Sequence, residues 1–363
     1  MRVERISLTN FLSYQKASAE FGEGVNVITG QNASGKTNLI DGLYYASVGK
    51  SARALKDKEI INWDTKEGAR VTLYIQKRFS KHEIDIYIDP QGKKRILVDG
   101  LPLQRIGELM GVLNVVLFSP GEMRLVKESP TDRRRFLDIS LSQQSKTYFY
   151  TLQRYNSLLV QRNKLLKTYK GRPTLKDMLK IVDADMVRCG VFIVSERDKF
   201  IKKLAPLAAA EHSKITGGKE ELRLVYETEA FDFENLTASY NALLAESFES
   251  DSRLEYTTTG THRDDIKIAS NGVDIRKFGS QGQQRSAVLS LKLAEIALFK
   301  DRTGETPVLL LDDVLSELDE KRRKALFGAL DGIQTMVTCT EFEEGLVDDY
   351  KKFVIQNRNI IVE

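Results

Sequence analysis

Apolar and polar side chains alternate along Val71-Thr72-Leu73-Tyr74-Ile75 and nearly so along Glu83-Ile84-Asp85-Ile86-Tyr87-Ile88, which predicts strands with one buried face. Pro90-Gln91-Gly92 and Asp99-Gly100 mark tight turns, so residues up to about Met110 read as strand-rich, with an antiparallel sheet. From about Pro120 to Ser250 the period changes to that of a helix. Tyr148, Leu152, Tyr155, Leu159, Arg162, Leu166 and Tyr169 follow three–four spacing, with one basic residue breaking the stripe. Pro173 ends that helix, and Leu175 to Ala210 reads as helix again, up to and around Pro206. From about Glu255 strands return. Val308-Leu309-Leu310-Leu311 is an unbroken apolar run, the pattern of a parallel strand buried on both faces. Ala287, Leu289, Leu291, Leu293, Ala294 and Ala297 predict a helix before it, and Met336-Val337-Thr338 and Phe353-Val354-Ile355 predict closing strands.

The ends of these elements carry the chemistry. Gly30 to Thr37 reads GQNASGKT, a full match to the phosphate-binding loop G-x-x-x-x-G-K-[ST]. A chance match in such a chain has odds on the order of one in a hundred. The apolar strand ending at Asn26-Val27-Ile28 and the helix opening at Asn38 lower those odds further. Gly30 and Gly35 let the backbone turn back so that the N–H groups of Gln31, Asn32, Ala33 and Ser34 face a phosphate. Lys36 places an ammonium between the β- and γ-phosphates, and the Thr37 hydroxyl is placed to hold Mg²⁺. Asn38 opens the helix whose dipole adds to the anion site. The site therefore calls for ATP and Mg²⁺. The run Val308–Leu311 ends in Asp312 and Asp313, where open α/β sheets place their chemistry. Asp312 is expected on Mg²⁺, directly or through its water, and Asp313 facing the attacking water. Gly279 to Gln284 reads GSQGQQ, and Ser280 is a good N-cap for the helix that follows. A helix tip holding Ser280, Gln281, Gly282 and Gln283 has the groups to cover a γ-phosphate.

In this order the three segments resemble the Walker A, signature and Walker B motifs of ABC-type ATPases, and Ser316-Glu317-Leu318-Asp319 is similar to the D-loop. About 250 residues separate the first two motifs, a spacing similar to that of the SMC-like heads; the chain is too short for their coiled coil. The fuller resemblance is to the RecF family. Ile6 to Tyr14 is similar to its first strand and turn. PGEMRLVKESPTDRRRFLD at Pro120 to Asp138 resembles its P-x(9)-P-x-x-R-R-x-F-L-D segment. Gly260-Thr261-His262-Arg263-Asp264-Asp265 resembles its G-P-H-R-D-D. Gly121, Glu128 and Thr261 depart from the family's usual acid, Gly and Pro. The likeness runs from Met1 to about Thr340.

The resemblance implies an α/β fold, an ABC-type P-loop ATPase head with a mixed sheet lobe at 1–115 and 255–363 and an inserted helical lobe at 116–254. It implies an ATP-driven head-to-tail homodimer in which the Ser280–Gly282 segment of one copy caps the γ-phosphate of the other. It also implies work at gapped or stalled replication sites with the RecO and RecR mediators. No switch histidine follows Val337-Thr338; Cys339-Thr340-Glu341 stands there, so any water-orienting role passes to Glu341 or to no residue. Asp313 is one methylene shorter than the usual catalytic Glu, which points to a weak, DNA-stimulated ATPase acting as a timer. An ABC transporter subunit and a nucleotide-dependent scaffold without turnover are the alternative readings.

Lys plus Arg (55) against Asp plus Glu (51) leaves the chain only mildly basic, so composition alone does not call for nucleic acid. Basic residues do gather in the helical middle, at Arg133-Arg134-Arg135, at Arg154, Arg162, Lys164, Lys167, Lys170 and Arg172, and at Arg197, Lys199, Lys202 and Lys203. A solvated face is the plainer reading of any one cluster. Together they make Arg154, Arg162, Lys164 and Lys167 candidate contacts to the backbone of duplex or gapped DNA. His262-Arg263-Asp264-Asp265 reads as a charged surface loop. Cys189 and Cys339 read as buried thiols in a reducing compartment, and three scattered histidines build no zinc site. With no apolar signal core at the start and no membrane-length apolar run, the expected location is cytoplasmic.

Overall fold

The computed structural model describes residues 1–53, 55–229, 232–343 and 345–363. Strand β1 (Arg2–Phe11) pairs antiparallel with β2 (Tyr14–Glu20), and β3 (Val25–Thr29) follows, buried throughout. Helix α1 (Lys36–Val48) starts at Gly35 and stops at Gly49, both in left-handed backbone. Strands β4 (Ala69–Gln76), β5 (Lys81–Ile88), β6 (Lys94–Val98) and β7 (Leu101–Pro102) complete an antiparallel sheet in the order β2-β1-β4-β5-β6-β7. The alternation in β4 does what its pattern predicts: Val71, Leu73 and Ile75 are buried and Arg70 and Tyr74 exposed. Asp85 is the polar exception on β5. It is buried opposite Thr72, accepts two hydrogen bonds from Arg70 at 2.7 Å, and so keeps its charge paired.

The second sheet is β15-β14-β3-β13-β12-β8, formed by β8 (Val115–Phe118), β12 (Val308–Asp312), β13 (Thr335–Cys339), β14 (Tyr350–Gln356) and β15 (Asn359–Val362) around β3. All its pairings are parallel except the edge pair β14–β15. Register then decides the site: Cys339 lies opposite Thr29 and Asp312 opposite Thr338, so the carboxyl ends of β3, β12 and β13 come level. Helix α1 touches strands of both sheets, which is why residues on all its sides are buried.

These elements, with 210–220 and α9 (Gln281–Thr303) and α10 (Glu320–Gly328), form one compact unit of Met1–Met123, Ala210–Glu220 and Gln281–Glu363. The other unit is Arg124–Ala209 and Glu221–Ser280. It contains α2 (Arg124–Lys127), α3 (Pro130–Gln144), α4 (Lys146–Thr168), most of α5 (Leu175–Thr216), α6 (Leu236–Glu246), α7 (Phe248–Leu254) and α8 (Ile275–Phe278), with β9 (Leu222–Glu227), β10 (Asp265–Ser270) and β11 (Val273–Asp274). This division differs from the 116–254 expected for the helical lobe. Residues 255–280 join it because β10 pairs antiparallel with β9 from Asp265–Glu227 to Ser270–Leu222, a pairing that no local pattern announces. Pro206 lies inside α5, as expected, and the helix continues past Ala210 to Thr216.

Candidate functional site

The phosphate loop sits where β3 leaves its sheet. Gly30 has φ 152° and Gly35 φ 119°. A Cβ on Gly30 would stand 2.7 Å from the Ile355 carbonyl oxygen, and one on Gly35 3.0 Å from the Tyr14 hydroxyl, so both positions demand glycine for space as well as torsion. Tyr14 Oη donates to the Gly35 carbonyl (3.0 Å) and Asn38 Nδ2 to Ser13 Oγ (2.7 Å), so the β1–β2 turn braces the loop. Lys36 is buried, and its Nζ donates to the carbonyls of Gly30 (2.6 Å) and Gln31 (3.0 Å). Gln31, Asn32 and Ala33 are exposed, while Ser34 Oγ is a buried hydroxyl with no hydrogen-bond partner among the described residues. An acceptor-rich phosphate is the kind of group that would satisfy it.

Across the sheet edge, Thr37 Oγ1 donates to Asp312 Oδ1 at 3.0 Å, and Thr338 Oγ1 donates to the same oxygen at 2.8 Å. Two residues that lie 275 apart in sequence thus present a hydroxyl and a carboxylate side by side. Burial holds the Asp312 carboxyl above its ordinary range, the Thr338 and Thr37 bonds oppose that, and the charge of Asp313 adds to it. This hard, anionic oxygen set suits Mg²⁺, which prefers few carboxylates together with phosphate oxygens. Asp313 is exposed and has φ 53°. Its N–H donates to Thr338 Oγ1 (2.9 Å) and Thr338 O (3.2 Å), which fixes the left-handed turn. Thr338 therefore aligns both carboxylates. Sequence reading missed it, since a threonine in a closing strand gives no signal. Glu341 is exposed beyond the end of β13.

Ser280 is exposed immediately before α9, and Gln281, Gly282 and Gln283 form its first turn. Beneath that turn Arg322 donates to the Gly282 carbonyl (3.1 Å) and to Ser286 Oγ (2.8 Å) while pairing with Asp319. Arg285 pairs with Glu317 at 3.5 Å. The two residues tie the start of α9 to the segment that follows Asp313. Deeper in α9, Lys292 is buried between Glu122 (2.8 Å) and Glu295 (3.3 Å). Burial would lower its pKa, and the two carboxylates more than reverse that.

The second unit corrects the reading of the basic clusters. Arg162 is fully buried, so it is not a DNA contact. Its Nε donates to Asp183 (2.7 Å), and its Nη1 to Asp251 (2.5 Å) and Thr257 (3.0 Å). The residue that broke the apolar stripe belongs to the stripe, because carboxylates from two other segments neutralise it. Arg133 and Arg197 are likewise buried. Arg133 forms a two-bond pair with Asp265 (2.5 and 2.9 Å), and Arg197 bonds Asp138, Asp264, Tyr148 and the Thr261 carbonyl. Each cluster thus gives one arginine to the interior. Arg154, Lys164 and Lys167 are exposed, Arg154 pairing with Asp185 at 2.7 Å.

His262-Arg263-Asp264-Asp265 is likewise no simple surface loop. Asp264 is buried and accepts from Arg197, Tyr226 and Thr228; only Arg263 is exposed, over the Tyr256 ring. His262 Nε2 donates to the Thr257 carbonyl (3.1 Å), which leaves Nδ1 to accept from Tyr155 Oη (3.0 Å). Burial lowers its pKa to about 4 from an ordinary 6.5. The neutral ring is the folded form, so the unfolded chain holds one more proton between those values. Stability contributed by His262 is present above pH 6.5 and falls on acidification toward pH 4, at up to about 1.4 kcal/mol per pH unit. Urea unfolding at pH 7, 6 and 5 is expected to show a shallower pH slope for His262→Gln than for the natural chain; equal slopes would remove His262 as the source. Of the cysteines, Cys339 is buried, with a thiol raised by burial to about 11, whereas Cys189 is only half-buried.

A phosphate loop, a strand ending in paired carboxylates and a helix that opens directly after Ser280 on this mixed α/β frame define an ABC-type ATPase head of the SMC-like kind. The family model described as RecF/RecN/SMC N terminal domain matches residues 2–356. The chain is 42% identical over 363 residues to the DNA replication and repair protein RecF of Clostridium acetobutylicum, covering 99% of each chain. It is 41% identical over 362 residues to that of Clostridium kluyveri, covering 100% of this chain and 98% of the relative. Among solved structures it is similar to a recombination mediator protein RecF with ATP in the RecFOR pathway, with TM-score 0.92, 35% identity, and coverage of 99% of this chain and 97% of that one. The chain belongs to the RecF family. An SmcHead structure at 16% identity and TM-score 0.60 shares the fold. No helix among the described residues is long and apolar enough to cross a membrane.

Proposed function

We propose that this chain is an ATP-dependent DNA-binding protein of recombinational and gap repair, in which ATP closes a head-to-tail homodimer on DNA and slow hydrolysis opens it. The observation that carries the reading is the 3.0 Å contact between Thr37 Oγ1 and Asp312 Oδ1 at the mouth of the phosphate loop. Gly30 to Asn38 bind the triphosphate, and Thr37 and Asp312 hold Mg²⁺, which supplies charge neutralisation at the phosphates. Asp313, set at the surface by its bonds to Thr338, takes the proton of the attacking water. Ser280 to Gln283 of a second copy cover the γ-phosphate, and Arg322 keeps that helix tip in place. The exposed Arg154, Lys164 and Lys167 remain the candidate phosphate-backbone contacts. Similarity to a recombination mediator protein RecF of the RecFOR pathway supports a place beside the RecO and RecR mediators.

Sedimentation with ATP, with ADP and with neither, on duplex DNA and without it, tests the cycle. Asp313→Asn keeps shape and removes the water-facing charge, so the ATP dimer is expected to accumulate, phosphate release to fall at least about tenfold and DNA to stay bound longer. Ser280→Arg puts a bulky cation where the partner's γ-phosphate docks; it is expected to bind ATP yet stay monomeric. Phosphate release at the natural rate by Asp313→Asn would pass the catalytic role to another residue, Glu341 next. ATP-driven dimers of Ser280→Arg would put the signature outside the interface. A natural chain that dimerises without releasing phosphate, with or without DNA, would be a scaffold.

A further inference from the structure

Helix α9 carries Gly282, Ser286 and Ser290 at four-residue spacing, a row of small positions on one face. Both serines are fully buried. Each hydroxyl bonds back to the carbonyl four residues earlier, Ser286 Oγ to Gly282 (3.0 Å) and Ser290 Oγ to Ser286 (2.6 Å). Such bonds do not strengthen a helix and tend to bend it. What the serines add is a partner for side chains from other segments. Arg322 donates to Ser286 Oγ (2.8 Å) and to the Gly282 carbonyl (3.1 Å). One turn deeper, the ring of His212, near the end of α5, stands with Nδ1 3.0 Å from Ser290 Oγ. Its other nitrogen, Nε2, is 3.2 Å from Glu220 Oε2. All these residues belong to the unit that holds the phosphate loop.

His212 is fully buried, at a place where an apolar side chain would cost less desolvation. Burial holds its pKa below the ordinary 6.5, against the pull of Glu220 and the Ser286 carbonyl. The ring is therefore neutral, and what it offers α9 is a hydrogen bond rather than a charge. Arg322 grips the row near the helix tip, and His212, itself fixed by Glu220, grips it at Ser290. We propose that His212 is a positioning residue for ATP turnover: it holds α9 at Ser290 so that the tip, Ser280 to Gln283, meets the γ-phosphate bound by a second copy. It acts through Ser290 and not on the nucleotide. The proposal rests on the head-to-tail dimer reading and adds the residue that aims the tip.

The two ring nitrogens have different partners, and two amides separate them. Asparagine puts its amide where Nδ1 stands and keeps the bond to Ser290; glutamine puts its amide where Nε2 stands and keeps only the one to Glu220. Sedimentation with ATP reads the dimer, phosphate release at saturating ATP reads turnover, and urea midpoints read the fold. His212→Gln is expected to weaken the dimer and slow release about three- to tenfold, the effect of one buried hydrogen bond. His212→Asn is expected to stay within about twofold of the natural chain. ATP affinity, measured by calorimetry with Ser280→Arg added so that no dimer forms, is expected to be the same in both. Ser290→Ala cuts the link from the other side, leaves the ring in place and puts a better helix former in α9. It should reproduce the loss of His212→Gln, and the double variant should lose no more than either single one. A histidine with only a structural role would show equal dimer loss with both amides, in step with their urea midpoints. That result, a loss of ATP affinity equal to the loss of dimer, or natural dimerisation by His212→Gln or Ser290→Ala would each overturn the proposal while leaving the dimer standing. A natural chain that stays monomeric with ATP would instead sink the dimer reading, and the proposal with it.

Discussion

Lys36→Met is expected to weaken ATP binding about a hundredfold or more, close to 3 kcal/mol, the worth of one or two charge-assisted hydrogen bonds. The backbone cradle from Gly30 to Gly35 survives the change, because its torsions are set by the glycines and by the brace from Ser13 and Tyr14. The methionine keeps most of the buried stem of Lys36, and what is lost at rest is the pair of bonds from Nζ to the Gly30 and Gln31 carbonyls. Isothermal calorimetry checks the affinity, and circular dichroism the fold. Natural affinity in a folded Lys36→Met protein would refute the assignment of the loop as the triphosphate site. The ATP-driven dimer should vanish with the affinity, since closure needs a γ-phosphate to dock against.

Arg197→Met is expected to have the largest effect on stability. Arg197 is buried, and its guanidinium reaches Asp138 (2.8 Å), Asp264 (2.9 Å), Tyr148 (3.1 Å) and the Thr261 carbonyl (2.7 Å). Removing it strands Asp264, which is itself buried and already held above the ordinary carboxylate range by burial. Breaking a buried pair from one side costs about 3–5 kcal/mol, a large share of the roughly 5–15 kcal/mol by which a domain is stable. Lysine should not rescue the site, for one ammonium cannot reproduce three nitrogens directed at four acceptors. Arg154→Met, at an exposed pair with Asp185, should change stability by less than about 1 kcal/mol. Urea midpoints compare the two. A shift for Arg197→Met as small as that for Arg154→Met would mean that water reaches the network and that the arginine is not its keystone.

The same arginines show where sequence reading stops. A positive charge on a helix does not say whether its counter-charge is a phosphate, the solvent or a carboxylate from another segment. Arg162 finds Asp183 and Asp251, and Arg133 finds Asp265, each far away in the chain. The segments Pro120 to Asp138 and Gly260 to Asp265 were legible as resemblances; that they bind each other, through Arg133–Asp265 and Arg134 to the Asp264 carbonyl, was not. The boundary near 280 rather than 255 has the same origin, since strand pairing between β9 and β10 is a long-range choice.

By itself the sequence determined the phosphate loop, the strand that ends in Asp312 and Asp313, the alternating sheet and the start of α9. Each of these is local: a glycine torsion, a two-residue period, an apolar run or a helix cap is encoded within ten or so residues. Only the tertiary structure decided that Thr37 meets Asp312, that Thr338 aligns both carboxylates and that Arg162 is core rather than surface. Those outcomes depend on the register of parallel strands and on which carboxylates accompany an arginine into the interior. Register and ion pairing join residues tens to hundreds of positions apart, and their energies are settled by burial, which no local pattern contains.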